Sequence, residues 1–319
     1  MISGAMTAAS PPARTDLVLF GEFFVDLVFY NLPRPPRMGE EVKTGQFAEF
    51  PGGGVATTGL VAAGLGTRTA VVTRVGRDAP RNPAWQTLLR SGISVEASEL
   101  SAEFATAITV CAAFGRERMM ITHDAINQRL HTLLMRPAVG RLLHKARHLH
   151  LACALWPLRI WTNAIHRLRS RGLTISTDIG WNPVVLQSPR LPALLRECDF
   201  TFPNELEAQA MTGEKSVEGA TRKLAQWVRM PVVKLGRDGC MLVQDGKVVR
   251  VKSIAVRSVD ATGAGDAFNG GFLHGYLSGW PIEDCLRAGN ICGALATTGP
   301  GGSSAIPSRR KLLQLMKQI

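Results

Sequence analysis

No two cysteines in this 319-residue chain stand at C-x-x-C spacing, although six occur, at 111, 153, 198, 240, 285 and 292. Thiols inside runs such as Thr109-Val110-Cys111-Ala112 therefore read as small core residues in a reducing compartment, not as a disulfide framework or a metal site. Also missing are the G-x-x-x-x-G-K-[ST] phosphate loop, the G-x-S-x-G of esterases and the H-E-x-x-H of zinc proteases. The most apolar run, Leu17–Tyr30, is too short to span a bilayer and carries Glu22 and Asp26. Residues 1–14 lack a positive start and a continuous apolar stretch, so they read as a flexible tail and not as an export signal. Acidic residues are in deficit, 25 against 37 lysines and arginines, which leaves a net charge of +12. That surplus suits anionic partners (nucleotides, phosphorylated metabolites, nucleic acid, a membrane surface) without choosing among them. Hydrophobic residues at 45% and charged ones at 19% exclude a mainly disordered chain. The expectation is a soluble, cytoplasmic protein with no membrane partner.

What is present is an alternation of apolar β-type runs with helical patterns. Strands are expected at 16–20, 69–72, 105–113, 148–155, 173–177, 199–202 and 232–235, and helices at 55–65, 83–91, 158–171, 205–211, 217–229, 264–278 and 282–297. A hairpin over 241–251 turns at Asp245-Gly246. Such alternation without a break in composition argues for one α/β domain on a largely parallel sheet. The stretch 21–50 departs from it: strand-like pieces at 23–30 and 42–47 are interrupted by Pro33, Pro35 and Pro36, a small β excursion outside the main sheet.

Chemistry concentrates in Val259-Asp260-Ala261-Thr262-Gly263-Ala264-Gly265-Asp266-Ala267-Phe268-Asn269-Gly270-Gly271, a small-residue turn that opens a helix. The N–H groups of Gly263, Ala264 and Gly265 can point outward at the positive end of the helix dipole and hold an anion. Asp266, in the first helical turn, would sit beside a bound phosphate, where its task is to take the proton of an attacking hydroxyl. As a bare pattern the same residues also describe a plain helix cap.

The full string resembles the C-terminal signature of the ribokinase-like (PfkB-type) carbohydrate kinases almost letter for letter. Leu19-Phe20-Gly21-Glu22-Phe23-Phe24-Val25-Asp26-Leu27 resembles that family's first strand, and Pro51-Gly52-Gly53-Gly54 its N-terminal di-glycine signature. Arg74-Val75-Gly76-Arg77-Asp78, Phe202-Pro203-Asn204-Glu205-Leu206-Glu207-Ala208 and Val233-Lys234-Leu235-Gly236-Arg237-Asp238-Gly239-Cys240 follow in family order. The resemblance implies a three-layer α/β/α fold over 15–319, with a mostly parallel central sheet. It also implies a β-sheet lid from about 22–50 and part of about 104–122. ATP is then the donor, Mg²⁺ the metal, and the reaction an in-line transfer of the γ-phosphoryl group to a hydroxyl of a sugar or sugar-like molecule. A nucleoside kinase of the same fold, or a silent sugar-binding or nucleic-acid-binding regulator, is the alternative; the intact acid of the signature speaks against silence and against nucleic acid.

Residue by residue, the resemblance makes Asp266 the base and Gly263, Ala264 and Gly265 the anion hole. Asp26 would hold substrate hydroxyls; the competing reading is a buried arginine partner for a carboxylate in an apolar run. Gly52 and Gly53 permit close backbone approach to a ligand. Thr57 stands where sugar kinases usually carry asparagine, a departure that loses one donor group and bears on substrate identity. Lys234, Gly236, Gly239 and Asn290 fall at the nucleotide. Asn204 and Glu207 share a face at a helix start and could hold the magnesium water shell, or form a capping box, or both. Asp260 and Thr262, with Ala296, Gly301 and Ala305, resemble loops that hold a monovalent cation such as potassium in some relatives. His144, His148 and His150 read as a basic solvated face, Gly115-Arg116-Glu117-Arg118 as the charged turn of a lid hairpin that either contacts substrate or is an ordinary solvated turn, and Trp181 as an acceptor-pocket or core residue. Exposed lid strands offer edges for a homodimer.

Overall fold

The computed structural model describes residues 15–114 and 117–318. The expected tail at 1–14 and the tip Gly115-Arg116 lie outside the described residues. Strand β1 (Leu17–Gly21) is buried at every position, as a strand covered on both faces must be. It lies inside a six-stranded parallel sheet with β4 (Thr69–Val72), β9 (His148–Ala152), β10 (Thr174–Asp178), β11 (Phe200–Thr201) and β12 (Met230–Pro231), in the order β12-β11-β10-β9-β1-β4. Period-two alternation sends Leu17 and Leu19 to one face, and Val18 and Phe20 to the other.

Helices cover both faces. Leu17 and Leu19 meet α1 (Gly54–Gly64), α2 (Pro83–Arg90), α9 (Ala264–Leu277) and α10 (Ile282–Ala296), with Phe268 and Phe272 filling the layer between sheet and helices. Val18 and Phe20 meet α3 (Pro137–Lys145), α4 (Leu158–Arg169), α5 (Pro183–Leu186), α6 (Leu191–Leu195), α7 (Glu205–Thr212) and α8 (Val217–Leu224). The ring of Phe20 packs edge-on against Trp161 of α4. A last helix, α11 (Arg309–Met316), buries Leu312 beside α10.

The β excursion becomes a separate four-stranded sheet, ordered β3-β2-β7-β8, from β2 (Phe24–Phe29), β3 (Phe47–Gly52), β7 (Ile108–Phe114) and β8 (Glu117–His123). Strands β5 (Arg74–Gly76) and β6 (Glu99–Ser101) pair alone. Strands β13 (Val233–Lys234), β14 (Cys240–Gln244) and β15 (Lys247–Val251) form a three-stranded sheet, and β14 turns into β15 at Asp245-Gly246, both at positive φ as expected.

Several expectations are corrected. The piece expected at 42–47 is not a strand: pairing with β2 begins only at Phe47, opposite Phe29, and continues to Gly52. Helix α8 stops at Leu224, because the chain must turn to bring Val228 into the core ahead of β12. The run 232–235 splits, with Val233 and Lys234 pairing to β14 and not to the central sheet. His148 and His150 are fully buried in β9, where Thr174 and Ser176 hydroxyls hold both ring nitrogens of His148 and Ser176 holds Nδ1 of His150, so they are no solvated face. Trp181 is 61% exposed and belongs to no core. The six cysteines are free and buried, as read.

Candidate active site

The chain leaves β1 toward β4 on one side and returns as β9 on the other. The crevice at the carboxyl ends of β1 and β9 is thus a topological switch point, where open α/β sheets bind ligands. Asp178, the last residue of β10, and Lys234 of β13 reach the same end and form a buried ion pair at 2.6 Å. Asn269 of α9 donates to the same Asp178 oxygen at 2.6 Å.

Helix α9 starts at this crevice. Gly263 caps it in the left-handed region, φ 69°, and its Cα side faces Thr57 and Gly302 with no room for a side chain without strain. Among the described residues the N–H groups of Gly263, Gly265 and Asp266 have no hydrogen-bond partner, and they remain available to an anion. Ala264 differs from expectation: its N–H leans on the Ala261 carbonyl at 3.3 Å, because the turn tightens there. A side chain at Gly265 would begin 3.0 Å from Lys234 Nζ, so an ammonium stands beside the free amides.

Asp266 lies half-buried in the first turn of α9, and one oxygen is within 3.3 Å of the place a side chain at Gly54 would occupy. Burial, and after it the negative Asp178, outweigh Lys234 and, with Glu207 and Asp26 adding, push this carboxyl up to about 7. It is therefore no salt-bridged helix cap, and no side chain caps α9.

Asp26 on β2 is buried, with no basic partner among the described residues. Burial and the nearby Asp260 push it up to about 6. Gly52 is glycine because its backbone runs against this carboxylate: any Cβ there would overlap all three carboxyl atoms. Gly53 caps α1, and Thr57, in the first turn of that helix, is buried under Gly263. Thr109, opposite Asp26 in register, holds Thr122 of β8 at 3.1 Å, which gives the same face a second polar pair.

Asn204 and Glu207 do form a capping box on α7: the Asn204 side chain accepts from the Glu207 N–H at 2.9 Å, and Glu207 accepts from the Asn204 N–H at 2.8 Å. Glu207 is buried, and burial and the negative Asp178 hold its carboxyl above the usual range. Gly236 and Gly239 flank a single turn before β14, and Asn290 of α10 donates to the Val251 carbonyl at 2.9 Å. Together with Lys234, Ser258 and Phe268 they line a cleft of about 720 Å³ that ends at Ala264 and Gly265.

Asp260 and Thr262 lie in the turn that leads into Gly263, with Ala261 between them lining the cleft. Asp260 accepts from the N–H and hydroxyl of Thr262, at 2.9 and 2.7 Å, and from the Gly301 N–H at 2.9 Å. The sequence alone assigns no role to Asp178 or Asn269, and Arg118 reads there only as part of the charged lid turn, with no link to Asp260. The Asn269 amide falls inside the quoted signature, but only the folded sheet brings Asp178 to it.

A sequence profile described as the pfkB family of carbohydrate kinases matches residues 14–309. Ribokinase of Haemophilus influenzae is 24% identical over 313 residues, spanning 95% of this chain and 99% of its own length. The structure of Arabidopsis thaliana ribokinase complexed with ribose and ATP is similar at a TM-score of 0.82, with 24% identity, 96% of this chain and 99% of that one covered. A crystal structure of a candidate ribokinase II from E. coli, in complex with ATP and Mg²⁺, gives 0.82 at 21% identity, with 96% and 100% covered. The chain belongs to the pfkB family of carbohydrate kinases.

Proposed function

We propose that this kinase transfers the γ-phosphoryl group of ATP to a hydroxyl of a sugar or sugar-like acceptor, with Asp266 as the base. One observation carries the reading: a carboxyl pushed up to about 7 stands at a helix start whose neighbouring amides lack partners. A base near neutral pKa both exists as carboxylate at physiological pH and accepts a proton readily. The free amides of Gly263, Gly265 and Asp266, with Lys234 beside them, supply the preorganised positive field that phosphoryl transfer needs.

The cleft of Gly236, Gly239 and Asn290 suits the nucleotide, since it leads to those amides and is mostly apolar until it reaches Lys234. Asp26, with Gly52 giving it backbone clearance and Gly53 turning the chain into α1 beside it, suits an acceptor hydroxyl: a buried carboxylate without a cation gains from an O–H donor. Thr57, which presents a hydroxyl under Gly263 where sugar kinases usually carry asparagine, narrows what the acceptor can offer. Glu207 fits a magnesium ion held through water, because its charge is buried against Asp178 with Lys234 as the sole counter-charge among its influences. Magnesium there would neutralise the phosphates; Asn204 keeps the Glu207 carboxylate in place through the capping box. The four-stranded sheet acts as the lid. Its face away from Asp26 exposes Phe47, Ile108, Met119 and Ile121, which suits pairing with a second copy.

The test is a panel of sugars and nucleosides in an ADP-release assay. Turnover with a sugar, lost by about 10²–10⁴-fold in Asp266→Asn with unchanged binding of an ATP analogue, is the expected result. Turnover only with nucleosides moves the acceptor class; full activity in Asp266→Asn removes the base.

A further inference from the structure

The segment Asp260–Thr262 is where the resemblance places a monovalent cation, and there the Asp260 carboxylate and the Gly301 carbonyl already have partners within the chain. One Asp260 oxygen accepts from the Thr262 N–H and hydroxyl, and the other from the Gly301 N–H. The Gly301 carbonyl is occupied too, by the N–H and hydroxyl of Ser303. What remains is a carboxylate, 17% exposed, that needs a counter-charge.

That charge comes from the four-stranded sheet. Arg118 of β8 reaches across to the segment before α9, where one guanidinium nitrogen donates to Thr262 Oγ1 at 2.7 Å and to Asp260 Oδ1 at 3.3 Å. The chemistry is consistent at each atom: the Thr262 hydroxyl gives its proton to Asp260 and accepts from Arg118. Burial pushes the Asp260 carboxyl up, but the Thr262 and Gly301 hydrogen bonds, with Arg118, hold it below the usual range. Among the described residues, Arg118 is the one basic group in contact with this carboxylate.

We propose that Arg118 is the built-in counter-cation of Asp260, replacing a diffusible monovalent ion and fixing the turn that presents the free amides of Gly263 and Gly265. The proposal rests on the phosphoryl-transfer reading of that turn. It makes Arg118 a positioning residue that acts through Asp260, and it ties the turn to the position of the sheet that carries Asp26. Phe50 of β3, which fills the space beside Gly301, is a second contact between the same two parts.

The experiment compares the wild-type protein and Arg118→Met in tetramethylammonium buffer, with and without potassium chloride or guanidinium chloride at matched ionic strength. Wild-type turnover should change less than twofold. Arg118→Met should lose at least tenfold and regain most of it with guanidinium or potassium, whereas Arg118→Lys should keep the larger part. A readout independent of turnover is the melting temperature, which potassium should raise by several degrees in Arg118→Met and not in Arg118→Met/Asp260→Asn. The idea is overturned by a wild-type enzyme that potassium activates more than fivefold. It is equally overturned by an Arg118→Met enzyme whose sole defect is a higher KM for acceptor with no cation response in activity or melting. Should Asp266→Asn retain full activity, the phosphoryl-transfer reading fails, while the melting data still decide the charge compensation.

Discussion

Asp266 is an ordinary residue type in an unfavourable place, and its consequences run in two directions. Its carboxyl titrates at about 7 because burial and the neighbouring Asp178 disfavour the charge. The base form therefore appears as pH rises, and kcat/KM should climb through about pH 7 with unit slope in a pH–rate profile. Stability moves the opposite way. The folded value lies above the ordinary 3.8, so the stability this group contributes is complete below that value and is lost as pH rises through about 7. Asp266→Asn should raise the melting temperature at pH 8 more than at pH 5, measured calorimetrically. Asp26 behaves likewise on the acceptor side. Below about pH 6 it gains a proton, and acceptor KM should rise there while ATP binding stays flat. Gly52→Ala pushes a methyl into that carboxylate and should raise acceptor KM at every pH.

Strands β9 and β10 carry a polar seam through an apolar layer. His148 meets Thr174 at 2.8 Å and Ser176 at 2.7 Å, and His150 meets the same Ser176 at 2.8 Å. Burial drives His150 down to about 4 and His148 well below its ordinary value. Both stay neutral when folded but take protons when unfolded. Their contribution is therefore whole above about pH 6.5 and is lost as pH falls toward 4. The urea midpoint should decline across that interval. Ser176→Ala leaves His148 Nε2 and His150 Nδ1 without partners, though Thr174 still holds the other nitrogen of His148, and should cost about 1–3 kcal/mol at pH 7 in the same titration. This seam was misread from sequence for a physical reason. Histidines at alternate positions look like a basic surface until a neighbouring strand supplies the hydroxyls that allow burial.

At the scale of the molecule, the features legible in sequence are those set by local rules. The five apolar residues of β1, the small-residue turn before α9 and the Asp245-Gly246 hairpin each follow from neighbouring residues alone. Asp26 was legible because a charge in an apolar run demands an explanation. Asp178 was not, since a single aspartate at a strand end carries no pattern until Lys234 and Asn269 converge on it. Short α3, α5 and α6 escaped because fewer than three turns of amphipathic pattern leave little periodicity to read. The outward apolar face of the four-stranded sheet belongs to this scale as well. Ile121, 68% exposed there, should hold the proposed dimer together, and Ile121→Asp should shift sedimentation to the monomer while leaving the fold intact.

The crevice joins Asp26, near the start of the chain, to Asp266, near its end, and the turn beside Asp266 is secured from Gly301 and Gly302, which come later still. During synthesis the ribosome thus releases the acceptor side long before the turn that activates it. On the proposed reading, a nascent or prematurely terminated polypeptide would have nowhere for donor and alcohol to meet.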